Sequence, residues 1–152
     1  MKRAAAIALA LLAALAGCAS TPQASPERDA EAKHFITHPG TAAVYVYRND
    51  FPFVDDADSV LYVDSRLIGA TLPGTYFRVD VRPGVHLLYG IANDQGRLKL
   101  EIRSTQVHFV ALNVISGQSY FRQVSADTGK RELQRCCVLL ENWAPGQRPL
   151  LR

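Results

Sequence analysis

The residue types that carry most protein chemistry are sparse in this chain. They are His34, His38, His86 and His108, the adjacent pair Cys136-Cys137, and the aspartates Asp50, Asp55, Asp56 and Asp58. His34 and His38 stand four apart, but Pro39 breaks any helix beyond them, and no Cys or carboxylate joins them at ligand spacing. They read as solvated side chains. The aspartates lack the spacing, the glycine and the closing glutamate of an EF-hand, and read as a solvated acidic loop. Gly117-Gln118-Ser119-Tyr120 lacks the second glycine and the strand-to-helix context of a serine nucleophile elbow. No phosphate-cradling glycine loop is present. His86 and His108 fall in strand patterns, where a histidine with a satisfied hydrogen bond is the ordinary case. A metal site there would need the two rings adjacent and facing one way.

The adjacent cysteines pose a geometric question. Neighbouring Cα atoms are about 3.8 Å apart, below the usual disulfide span of about 4.4–6.8 Å. Two free, partly buried thiols are therefore expected, with a bond between neighbours and an intermolecular bridge as the alternatives.

A third cysteine sits in a different context. Met1-Lys2-Arg3 is a short basic stretch, Ala4 to Ala14 is apolar, and Leu15-Ala16-Gly17-Cys18 follows at once. The apolar run is shorter than the roughly 20 residues that span a bilayer, and fits a signal peptide over residues 1–17. The four residues resemble the lipobox of bacterial lipoproteins in every position. That resemblance implies that Cys18 receives a thioether-linked diacylglyceryl group, becomes the first residue and is N-acylated. More than one acyl chain is what stable anchoring needs. Ala19, where an Asp would otherwise stand, resembles the pattern for sorting to the outer membrane, with the protein on its inner leaflet facing the periplasm.

Residues 18–40 are small, polar and proline-containing, and read as a lipidated flexible tether, with one or two helical turns between Arg28 and His34. From Thr41 the grammar changes to short apolar runs divided by turn residues. Ala43–Arg48, Ser59–Asp64, Leu67–Thr71 and Thr75–Val81 are strands, the last with Phe77, Val79 and Val81 on one face. Val85, Leu87, Tyr89 and Ile91 form the next inward set, with His86 between them. Asn93 to Gly96 is a hairpin loop, Arg97–Arg103 alternates cleanly, and Val107–Ile115 reads as a doubly covered strand. Ser119–Val124 follows. Asp127-Thr128-Gly129 reads as a hairpin loop, which favours a strand over Lys130–Leu140; the competing helical stripe is Leu133, Cys136, Cys137 and Leu140. Residues 142–152 are a tail. The sum is an all-β fold: one small antiparallel β-sandwich over residues 41–141, Ig-like or prealbumin-like, of about eight strands.

Ala43-Val44-Tyr45-Val46-Tyr47-Arg48, Val63-Asp64 before Ile68-Gly69, Gly74-Thr75-Tyr76, Pro83-Gly84-x-His86 and Gly117-x-x-Tyr120-Phe121-x-x-Val124 follow in order. Together they resemble a family of small bacterial lipoproteins known only as a domain of unknown function. They are also similar to PEGA-type surface modules on a small sandwich. The resemblance covers roughly Thr41 to Leu140 and brings no catalytic residue with it. The departure is at the first turn, where Ser65 stands in place of the usual Gly.

Charge excludes one class of partner. Of 17 Lys and Arg against 14 Asp and Glu, loss of Lys2 and Arg3 leaves 15 against 14, a net +1. The arginines at 48, 66, 78, 82, 97, 103 and 122 are scattered and read as a solvated sheet face, so nucleic acid has no electrostatic case. The function expected is that of a lipid-anchored envelope lipoprotein. Its sandwich is a non-enzymatic binding module for an envelope protein or glycan, needing no cofactor. A structural envelope-assembly lipoprotein and an envelope hydrolase with a dispersed site are the alternatives. His86, His108, Tyr76 and Tyr120 are the candidates for contacting a ligand.

Overall fold

The computed structural model describes residues 21–50, 59–91 and 93–142. The leader, Cys18, the aspartates 55, 56 and 58, and the tail from residue 143 lie outside the described residues.

Two sheets pack face to face. The chain forms α1 (Pro26–Ala32), β1 (Ala42–Arg48), β2 (Ser59–Val63), β3 (Arg66–Thr71), β4 (Thr75–Val81) and β5 (Gly84–Tyr89). It continues with β6 (Arg97–Ile102), β7 (Val107–Ile115), β8 (Gln118–Val124), α2 (Ala126–Cys136) and β9 (Val138–Leu139). A five-stranded sheet has the order β8-β7-β1-β4-β9 and a four-stranded sheet the order β3-β2-β5-β6. The all-β sandwich read from the sequence is the observed architecture. The pairing is antiparallel except that β1 lies parallel to β7 and β4 parallel to β9.

The inner core follows from period-2 alternation. Val44, Val46, Phe77, Val79, Val81, Val110, Leu112 and Val114 meet Leu61, Val63, Ile68, Leu88, Leu100 and Ile102. The opposite face of the five-stranded sheet is also dry. Ala43, Tyr45, Tyr47, Tyr76, Phe109 and Ala111 lie beneath Ala32, Phe35, Leu133, Cys137 and Leu139. This explains the unbroken apolar reading of β1 and the double covering of β7. Phe35 seats edge-on against Tyr45 and Phe109, with ring centroids 5.3 and 5.4 Å away.

Four readings of the sequence are corrected. The first concerns Lys130–Leu140, which is not one strand: it is helical through Cys136, and only Val138–Leu139 pairs as β9. Residues 126–136 form α2, with Ser125 as N-cap accepting from Thr128 N at 3.3 Å, Asp127 in the first turn and Arg135 in the last. Gly129 serves close packing, not a hairpin turn: a Cβ there would overlap the Phe109 ring. Cys136 and Cys137 are not free thiols but are joined in a disulfide. Cys136 is still helical while Cys137 caps the helix in extended conformation. That change of backbone brings the two side chains to one side, which a regular helix or strand does not.

The second concerns the tether, because residues 21–40 are packed on the sandwich. Ser25 caps α1, Pro26 opens it, and Tyr45 donates to Ala32 O at 2.6 Å from below. Asp29 accepts from Leu139 N at 2.8 Å and from Lys33 Nζ at 2.7 Å, and Lys33 also donates to Cys137 O at 2.7 Å. Gln23 bridges to Leu140, and Glu141 N donates to Pro22 O at 2.8 Å. Low hydrophobicity concealed this docking, since Ala32, Phe35 and a few polar links suffice. His34 and His38 remain exposed.

The third is the phase of β5. His86 and Leu88 point inward, paired with Leu100 and Leu98, while Val85 is 57% exposed and Leu87 and Tyr89 are only half-buried. Directly opposed residues share a face, so the clean alternation of β6 sets the phase of its neighbour. The fourth concerns the arginines. Arg48 is buried, donating to Thr71 O at 3.2 Å, and Arg78 is mostly covered, held by Asp80 at 3.0 Å and by Ile36 O at 2.8 Å.

Candidate functional site

The four candidate residues lie in four different environments. His86 sits on the inner face of β5. Its Nδ1 lies 2.5 Å from Asp64 Oδ2 and its Nε2 2.8 Å from Arg82 O. Asp64 and Ser65 both adopt left-handed backbone, with φ of 50° and 66°, and close the β2–β3 hairpin in two residues. The Asp64 side chain also accepts from Leu87 N at 2.9 Å. His86 thus ties that turn to β5, and both ring nitrogens are used in doing so. The missing glycine at Ser65 is tolerated within a turn that these bonds hold.

His108 is in the other sheet, on β7. Gln123 Nε2 donates to its Nδ1 at 2.9 Å, so the proton sits on Nε2, which meets Gln106 Oε1 at 3.1 Å. Burial pushes its pKa below the ordinary 6.5. It is a neutral, satisfied imidazole far from His86 in the topology, and the structure does not bring the two together. Tyr76 is buried in the aromatic core, stacked 5.9 Å from Tyr45 with its hydroxyl 3.4 Å from Asp29 O. Burial raises its pKa, as it raises that of Tyr45 to about 12. Among the described residues, no three or more His, Cys, Asp or Glu side chains are placed to hold a metal ion.

Tyr120 alone of the four is open to solvent, 54% exposed on β8. It borders a shallow groove of about 340 Å³ lined by Gln95, Gly96, Arg97, Gln118, Ser119 and Phe121. The groove runs where the first residues of β6 pass the first residues of β8. A Cβ at Gly96 would overlap the Ser119 carbonyl, so only glycine permits this approach. Polar bonds then fix the floor. Asp94 Oδ1 accepts from Gly96 N and from Ser119 N, both at 2.9 Å. Gln118 accepts from Gln95 N at 2.9 Å and donates to Asn93 O at 2.7 Å. The Ser59 and Ser119 hydroxyls share a hydrogen bond of 2.6 Å beneath.

The rim is left for recognition. Arg97 lies over the Tyr89 ring, 5.6 Å from its centroid, and Tyr89 stacks on Tyr62 at 5.3 Å. Ile91 and Ile115, 49% and 55% exposed, flank the same end. Sequence reasoning missed Gln95, Arg97 and Gln118. In the sequence Arg97 reads as one of several scattered surface charges, and Asn93–Gly96 as a hairpin loop. The one signal was Asp94 two residues before Gly96, a short-range cap that gives no hint of the partner strand.

The arrangement offers an aromatic surface, a guanidinium and amides over a hydrogen-bonded floor, in which the Ser59 hydroxyl also donates to Asp94 Oδ2 at 3.5 Å. Comparison with known proteins adds one relative. The chain is 29% identical over 139 residues to a Haemophilus influenzae protein described as uncharacterized, covering 88% of this chain and 81% of that protein. No family model matches the chain, and no solved structure matches it.

Proposed function

We propose that this protein is a lipid-anchored component of the bacterial cell envelope, held by acylated Cys18 on the periplasmic face of the outer membrane. On this reading its sandwich binds an envelope glycan without chemical turnover. The observation that carries the binding reading is the β6–β8 groove. It is shallow and open, its floor is locked by Asp94 and Gln118, and it presents Tyr120 and Arg97 at the rim. Sugars stack on exposed aromatic faces and bond to planar amides and guanidinium groups, and a shallow groove suits an extended polar chain. The anchor is supported by Leu15-Ala16-Gly17-Cys18 behind a basic and apolar leader. The non-enzymatic reading is supported by the two sheet histidines, each already bonded at both ring nitrogens. A protein partner is the second reading, favoured by Ile91 and Ile115 beside the groove.

Titration with soluble peptidoglycan glycan strands tests the proposal. Saturable binding is expected, weakened roughly ten-fold, or about 1.4 kcal/mol, by Tyr120→Ala and by Arg97→Ala. Binding that neither substitution changes, or none at all, rejects the glycan reading. Hydrolysis of the strands would reject the non-enzymatic one.

A further inference from the structure

The docking of residues 21–40 changes what an anchor at Cys18 does. Thr21 is buried at the edge of β3, where its hydroxyl donates to Ala70 O at 3.0 Å and accepts from Ala70 N at 3.1 Å. It thereby occupies the pairing groups of an edge strand. Only Ala19 and Ser20 separate this seat from Cys18. Three residue steps span at most about 11 Å. A free tether of the length read from the sequence would instead roam with an r.m.s. reach of about 25 Å. The short connection decides which part of the sandwich meets the bilayer.

We infer that the sandwich rests directly on the lipid surface through the β3 edge and the adjoining outer face of the four-stranded sheet. This inference rests on the lipidation of Cys18. The contact face begins at Val60, which pairs with Ala70 beside Thr21, and continues to Tyr62, which pairs with Leu67. Val60, Tyr62 and Leu67 are half-buried and point away from the core, while their neighbours Leu61 and Val63 are fully inside. Apolar side chains with a tyrosine among them suit the boundary between headgroups and acyl chains. Arg66, partly exposed at the start of β3, brings a cation to a surface carrying anionic headgroups. The order β3-β2-β5-β6 puts the groove at the opposite edge of the same sheet from the seat of Thr21. The anchor therefore orients the module as well as retaining it.

The test uses the full lipidated protein in vesicles of equal parts phosphatidylethanolamine and phosphatidylglycerol. A nitroxide is placed at Leu67→Cys or, on β8, at Arg122→Cys. The Leu67 label should lose collisions with a water-soluble nickel chelate and gain collisions with oxygen, while the Arg122 label behaves as in water. Amide exchange along β3 in the unsubstituted protein, with Thr21 hydrogen-bonded in both samples, should slow on vesicles relative to detergent solution, which gives the readout without substitution. Insertion of a long Gly/Ser segment between Ser20 and Thr21 should return the Leu67 label to water. The intact mass separates the two ways to fail. A mass without the acyl groups removes the anchoring reading itself. An acylated protein whose Leu67 and Arg122 labels are equally aqueous, or whose Leu67 label stays buried after the insertion, overturns the orientation inference alone.

Discussion

The two sheets of this sandwich are treated differently by the rest of the chain. The central strands β1, β4 and β7 of the five-stranded sheet are covered on both faces, by the inner core on one side and by α1, Phe35 and α2 on the other, while the edge strand β8 keeps Tyr120 and Arg122 exposed. The four-stranded sheet shares the inner core but leaves its outer face to half-buried Val60, Tyr62, Leu87 and Tyr89 among the charges of β6. Both sheets have apolar strands, so composition alone does not distinguish them. The difference is where helices are available to pack. A doubly covered sheet is scaffold, and a singly covered one has a face to offer.

Removing a large ring from each region breaks the comparison most sharply. Phe109→Ala, beneath α1 and α2, should cost about 3–5 kcal/mol. Tyr62→Ala, on the open face, removes a half-exposed ring and should cost only about 1 kcal/mol, the value of a cross-strand aromatic pair. Chemical denaturation of the two variants measures both. Equal losses would mean that the outer face of the four-stranded sheet is as dry as that of its partner.

A smaller effect is expected from adding a methyl at the close contact between α2 and β7. Gly129→Ala gains helix propensity of about 1 kcal/mol. It also drives a methyl into Phe109, an overpacking cost of typically about 1–3 kcal/mol. Net destabilisation is expected in thermal melts, and a stabilised variant would show that α2 can ride outward freely.

The smallest effect is electrostatic and belongs to the same helix. Tyr47 donates to Glu132 Oε2 at 2.6 Å, and that bond holds the Glu132 carboxyl below its usual 4.5. The folded state therefore binds this proton less readily than the unfolded one. Its contribution is complete above about pH 4.5 and is lost as pH falls through the lowered value. Glu132→Gln should flatten the stability profile across that acid window, lowering stability slightly at neutral pH and leaving it unchanged below the window. An unaltered acid limb would remove Glu132 from the account of how α2 is held.

Sequence patterns reached the two sheets unequally. Strands β1 to β8 were legible because apolar alternation and paired turn residues are local signals. The phase of β5 was not, because Val85, Leu87, Tyr89 and Ile91 alternate as well as His86, Leu88 and Gly90, and only the pairing with β6 decides. The scaffold's outer layer was misread for a different reason. Ser25-Pro26 and Ser125 with Asp127 are local capping signals, yet Gly129 imitated a turn while answering to Phe109, far away in sequence. At the groove, Tyr120 was legible as a side chain, but its companions come from a loop whose partner strand no local pattern names.

The parallel contact between β1 and β7 has a consequence for how the molecule is made. Ala43 must wait for Val107, and Tyr47 for Ala111, before the central strand is paired on both edges. Contacts so distant along the chain slow folding. Until they form, Ala-Ala-Val-Tyr-Val-Tyr presents an uncharged run of strong strand formers with one free edge, the kind of segment that templates aggregation. A chain delivered unfolded and crowded onto a surface is most exposed to that hazard in the interval before β7 arrives.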